Sequence, residues 1–171
     1  MSIRLNNVRL SFPSLFQKAQ FEGADTKYEA TFLLDKIKHG DVIKQIEQAI
    51  KDKIASDLKG AKVGRDKLCL RDGDEVEYDG YAGHMTLKTS TKKRPLVVNK
   101  DKSPLTEQDG VVYSGCYVNA LVDLWAQNNQ FGKRINSTLL GVQFAGDGEA
   151  FASGGSSVSV DDFDDLDNEQ F

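Results

Sequence analysis

The chain has 171 residues, a net charge of −4 and two cysteines, Cys69 and Cys116. That length suits one domain with a core large enough to need no cross-links. Two cysteines exclude a disulfide scaffold and an all-cysteine zinc site, and neither a secretory leader nor a bilayer-spanning apolar run is present, so a reducing cytoplasm without membrane contact is expected.

Residues 1–12 read as a strand whose alternation, Ile3 and Leu5, then Val8, Leu10 and Phe12, slips by one at Asn6-Asn7, as a bulge would cause. Residues 13–27 hold Pro13 and Gly23 without a clear period and read as a loop. Residues 28–35 alternate again, with Tyr28, Ala30, Phe32 and Leu34 on one face. One helix is predicted, 41–59, on the stripe Ile43, Ile46, Ile50, Ile54 and Leu58, with Asp41 to cap its start and Gly60 its end. Short strands are predicted near 67–71, 76–79, 84–90 and 95–99. Two long ones follow, about 111–126 and 133–145. Alternation, rather than continuous apolar runs, points to antiparallel pairing, and glycines inside strands suit the bends of a small barrel. Residues 153–160, SGGSSVSV, have the composition of a flexible linker, and 161–171, DDFDDLDNEQF, cannot bury enough surface to fold.

That last segment carries Asp161, Asp162, Asp164, Asp165, Asp167 and Glu169. Removing these six acids from −4 leaves residues 1–160 at +2, a mildly basic body with an acidic tail. Phosphate-binding glycine loops, metal-protease helices and nucleophile elbows are missing from the sequence. His39 and His84 stand apart from other metal ligands. The acidic run Asp72, Asp74, Glu75, Glu77, Asp79 fails as a calcium loop, because Val76 falls where an oxygen ligand is required. The expectation is therefore a non-enzyme with no cofactor and no metal.

Four features could carry function. Lys88, Lys92, Lys93, Arg94, Lys100 and Lys102, opposed by Asp101, give a local charge of +5 that could meet several phosphates or simply be a solvated loop. In 112–124 the even positions are small and mostly apolar, as a barrel interior demands. The odd positions set Tyr113, Tyr117 and Trp125 among polar groups, either as a base-stacking platform or as cover for a second layer. Phe131 stands beside Lys133 and Arg134 at a turn, a ring-plus-cation pairing suited to a base and its phosphate. In the tail, Phe163, Leu166 and the terminal Phe171 interleave with the acids, as a partner hook or a nucleic-acid mimic would.

These features meet in one family. VRLSFPSLF (8–16), RPLVVNKD (94–101), GVVYSGCYVNALVDLWAQ (110–127) and LLGVQFAGDGEAF (139–151) resemble a phage-encoded family of single-stranded DNA-binding proteins that use an OB-fold. The tail separately resembles those of bacterial and phage single-strand-binding proteins, which end in acids and a terminal Phe, recruit replication and repair enzymes and compete with DNA for the groove. The resemblance implies an OB-like Greek-key antiparallel barrel over 1–152 with one packed helix, then linker 153–160 and tail 161–171. It implies sequence-independent single-stranded DNA binding in phage replication, recombination or repair, with replication or recombination proteins as partners of the tail. Homo-oligomerisation is left open. The DNA contacts expected from the residue chemistry are Lys88, Lys92, Lys93, Arg94, Lys133 and Arg134 on phosphates, and Tyr113, Tyr117, Trp125 and Phe131 on bases. The rival is a protein-interaction module whose acidic tail hooks a partner and whose body never meets DNA.

Overall fold

A computed structural model describes residues 2–21, 24–76, 78, 80–130 and 132–151. In chain order the elements are β1 (Ser2–Ser14), β2 (Gln20–Phe21), β3 (Ala24–Asp25), β4 (Tyr28–Asp35), α1 (Gly40–Asp57), β5 (Leu70–Asp72), β6 (His84–Thr91), β7 (Leu96–Val98), β8 (Tyr117–Asn129) and β9 (Gly132–Gly146). Seven strands share one sheet in the order β5-β6-β4-β1-β8-β9-β7, while β2 and β3 form a small hairpin inside the segment expected as a loop. β6 also meets β9, in parallel, at Ser90 and Thr138. That contact closes β1, β4, β6, β9 and β8 into a five-stranded Greek-key barrel with OB connectivity. The other ring pairings are antiparallel, and short β7 adds to β9 in parallel. Alternation reports which face is wet and not the direction of a neighbour, so the two parallel contacts are invisible to it.

The barrel interior follows the alternation. Ile3, Leu5, Val8 and Leu10 of β1, Ala30, Phe32 and Leu34 of β4, and Val118, Ala120, Val122 and Leu124 of β8 are buried together. The slip in β1 is a bulge: its register with β8 shifts between Leu5 and Val8, and Asn7 takes φ 53°. The Asn119 carboxamide oxygen accepts the freed Asn7 N–H at 2.8 Å. α1 lays Ile43, Ile46 and Ile50 against the β8 side of the barrel. Burying each such side chain stabilises the fold by about 1.5–3 kcal/mol.

Four local expectations change. Asp41 lies in the first turn of α1, while the cap residue is His39 with no side-chain capping bond. His39 Nδ1 instead accepts the Asp35 N–H at 2.9 Å. A carboxylate in the first turn still favours the helix through its dipole. Gly60 does end the helix, at φ 73°, and donates its N–H to Ile54 O at 2.9 Å. Of the strand expected at 76–79, the described Val76 and Tyr78 belong to no strand, and Gly73–Glu75 before them is a 3-10 turn. The strand expected at 67–71 is shifted to Leu70–Asp72, after a 3-10 turn at Arg65–Lys67. Residues 111–116 are irregular, and β8 begins at Tyr117. Phe131, the linker 153–160 and the tail 161–171 lie outside the described residues. Among the described residues no helix is long and apolar enough to cross a membrane.

Candidate nucleic-acid interface

Alternation that turns Phe32 and Leu87 inward turns their neighbours outward. Cross-strand pairing then sets Glu29 beside Ser90, Thr31 beside Lys88 and Leu33 beside Thr86 on the outer face of β4 and β6. β5 extends this face, with Arg71 opposite Thr86. Beyond Ser90, β6 and β9 diverge, and Leu68-Cys69 wedges between them. Cys69 N–H donates to Ile135 O at 2.9 Å, and Lys88 N–H donates to Cys69 O at 2.9 Å. Cys69 thus forms the floor of a groove, buried deeply enough to push its thiol up to about 12.

One end of the groove is basic. Lys27, Lys67, Arg71, Lys88 and Arg134 line about 350 Å³ there with Asn136 and Ser90, and Glu29 is the one acid among the described lining residues. None of these five cations is in an ion pair among the described residues. Both guanidinium groups reach the carbonyl of Asp66, Arg134 at 3.5 Å, which fixes the wall loop without neutralising either charge. Their positive potential is therefore available to an anion.

The other end, about 900 Å³, is aromatic. Phe12 meets Tyr78 edge to face at 5.3 Å, and Tyr78 meets Tyr81 at 5.2 Å. The Tyr81 hydroxyl is tied to Ser11 Oγ at 2.8 Å. Phe12 and Tyr78 stay 41% and 54% exposed, so two faces of this ladder are free to stack. Phe12 takes φ 48°, a left-handed conformation that costs a bulky residue of order 1–3 kcal/mol. The backbone there presents the ring to the groove instead of to the core. Acids at this end are largely engaged: Asp72 with Lys36 at 2.8 Å and Glu75 with Arg65. Lys36 holds the Asp72 carboxyl below its usual range. Glu29, Cys69, Arg71 and Lys88 line both ends, so the groove is continuous.

Of the residues singled out in the sequence, Lys88 and Arg134 line the basic end. Trp125, 41% exposed, pairs with Asn136 and so flanks that end on the same face of the β8–β9 hairpin. Lys133 is adjacent to Arg134 in sequence but pairs with Asn128, one residue on, and faces the other way. Lys92, Lys93 and Arg94 are exposed in the turn after β6, apart from the lining of either end. Tyr113 and Tyr117 are held by the segment that follows β9. The Tyr113 hydroxyl donates to Asp147 Oδ1 at 2.9 Å and accepts the Gly148 N–H at 3.0 Å. Arg9 lies 5.8 Å from the Tyr117 ring centre and 4.0 Å from that of Phe151, and also donates to the carbonyls of Gly115 and Glu149. This strap needs Gly115, at φ 109°, where a Cβ would come within 2.2 Å of Glu149 O. It ends with Phe151 against Gly80, next to Tyr81 and the aromatic ladder. Lys27, Lys67, Arg71, Tyr78 and Tyr81 escaped the sequence reading as binding residues, because they are scattered along the chain, and Phe12, expected on the apolar face of the first strand with Val8 and Leu10, is instead turned into the groove by its left-handed backbone. Among the described residues no group of three or more His, Cys, Asp or Glu could hold a metal ion.

The family model of the Enterobacter phage Enc34 ssDNA-binding protein matches residues 1–171. The chain belongs to that family. Among curated proteins it is 47% identical to protein p50 of Acyrthosiphon pisum secondary endosymbiont phage 1, over 97% of this chain and 94% of that one. Among solved structures it resembles the Enc34 single-stranded DNA-binding protein in complex with ssDNA, at TM-score 0.79 and 32% identity, covering 87% of this chain and 88% of that one. The same Enc34 protein without the complex matches at TM-score 0.80 and 31% identity, over 94% and 88% of the two chains. The bacteriophage T7 gp2.5 single-stranded DNA-binding protein shares the fold alone, at TM-score 0.55 and 9% identity over 92% and 98% of the chains.

Proposed function

We propose that this protein binds single-stranded DNA along the groove over β4, β5 and β6, without requiring a particular sequence. One observation carries the reading. Five cations outside any described ion pair and a ladder of partly exposed rings line one continuous groove on the barrel face that OB-folds use for oligonucleotides. Cations track a phosphate backbone, and rings stack on bases that only an unpaired strand can offer. The family membership supports the same ligand. Lys27, Lys67, Lys88, Arg71 and Arg134 would hold phosphates, and Phe12, Tyr78 and Trp125 would stack bases.

Coating exposed strands in this way would serve phage DNA replication, recombination or repair. The acidic tail 161–171 would compete with DNA and recruit partner proteins. Supporting this, the last described residue, Phe151, lies beside the aromatic end of the groove. The test is a titration of labelled oligo-dT and matched duplex at two salt concentrations, following anisotropy and Trp125 fluorescence. Tight binding of the single strand with duplex ignored is expected. No binding by either the full chain or a tail-deleted one would leave the protein-interaction reading in its place.

A further inference from the structure

Glu29 is an anomaly in a groove for a polyanion. It lies where the two ends meet and lines both. Thr31, two residues on, shares its side of β4, Lys27 lines the groove with it from just before that strand, and its cross-strand neighbours are Ser90 of β6 and Ser14 of β1. Lys88 is its diagonal neighbour across β4 and β6, yet the Glu29 carboxylate takes part in no ion pair or hydrogen bond among the described residues. A carboxylate repels a phosphate placed at this point, so a bound strand must present something else there. A carboxylate accepts hydrogen bonds, and nucleobases differ in what they donate. Cytosine, adenine and guanine carry an exocyclic amino group, whereas thymine has a carbonyl oxygen in its place.

We infer that Glu29 gives the groove a base-composition bias, accepting a hydrogen bond from the exocyclic amino group of a base that lies across the middle of the groove. The inference rests on the single-strand reading above and adds to it. The groove binds any sequence, but a strand carrying amino-bearing bases is held more tightly than its phosphates alone would make it. Cytosine against thymine is the cleanest comparison, because both are small pyrimidines that stack weakly on their own neighbours.

The experiment measures the affinities of oligo-dC and oligo-dT of equal length, above neutral pH, for the full-length protein and for Glu29→Leu and Glu29→Gln. Leucine removes both the charge and the acceptor. Glutamine can accept from cytosine or donate to thymine, and so levels the two. The dC-to-dT affinity ratio is expected to fall about tenfold in either variant, the scale of one hydrogen bond to a charged group. Circular dichroism melts of the variants check that the barrel is intact. If both oligonucleotides bind the variants more tightly by the same factor, Glu29 acts only by charge repulsion and the inference is overturned. If neither oligonucleotide binds the unaltered protein, the single-strand reading itself fails, and the composition bias with it.

Discussion

Lys88 and Arg134 stand on different strands, 46 positions apart in the chain, yet line the same end of the groove. Replacing both with glutamine removes two of the five cations there and leaves the barrel core untouched. If each cation neutralises one phosphate, log Kd against log salt has a slope of about 3.5 for the unaltered groove and about 2.1 for the double variant, at ~0.7 per phosphate on a single strand. Between 50 and 200 mM salt the unaltered protein would then lose about 130-fold in affinity and the variant about 18-fold. At 100 mM salt the variant would bind about 25-fold more weakly. Anisotropy titrations of labelled oligo-dT across that salt range read the slope directly. Lys92→Ala/Lys93→Ala is the companion, since those two lysines lie apart from the groove lining. An unchanged slope in K88Q/R134Q, with a flattened one in the companion, would put the phosphate path over the turn after β6 and refute the reasoning.

Phe12→Gly relieves a left-handed φ while deleting a groove ring. Thermal stability should hold or rise while single-strand affinity falls, by up to the ~1–3 kcal/mol of one stacked base; equal affinity would remove Phe12 from the interface. Gly115→Ala places a Cβ against the Glu149 carbonyl at a positive φ, so thermal unfolding should show a loss of more than about 1 kcal/mol, and an unchanged melting temperature would mean the strap is not part of the stable fold. Cys69, its thiol pushed up to about 12, holds only about one part in ten thousand of thiolate at pH 8, so iodoacetamide should label it far more slowly in the folded chain than in denaturant. Rapid labelling of the native protein would contradict that burial. Deleting 161–171 should leave oligo-dT binding as tight or tighter, and weaker binding would dispose of the competition idea.

The fold was legible wherever a period ran unbroken. The isoleucine stripe of α1 and the alternation of β8 each report a single buried face, the inward set of β4 follows its alternation although outer-face Leu33 is buried as well, and the Asn6-Asn7 slip marked a real bulge. The segment at 76–79 misled, because Val76 and Tyr78 imitate a strand's alternation, yet neither belongs to a strand and Tyr78 packs on Phe12. The groove was legible only in part. Lys92, Lys93 and Arg94 are conspicuous as a run, yet a turn carries them away from the lining. Lys27, Lys67 and Arg71 are scattered in sequence and are gathered by the wedge of Leu68-Cys69 between β6 and β9. Tyr113 and Tyr117 looked like a platform because they alternate outward. What covers them is the strap, 30 or more residues further along, and no local pattern announces it. Charge density along a chain and charge density on a surface are different quantities, and barrel closure converts one into the other.

The central claim is that a single strand lies in the groove from the Phe12–Tyr78–Tyr81 ladder to Lys88 and Arg134. Photocrosslinking tests it most directly, using oligo-dT with single iododeoxyuridine substitutions and mass spectrometry of the linked peptides. Crosslinks should fall on Phe12, Tyr78 or Tyr81 and on Trp125. Crosslinks confined to the outer surface around Leu96, Leu121 and Leu140, with the ladder unlabelled, would contradict the account.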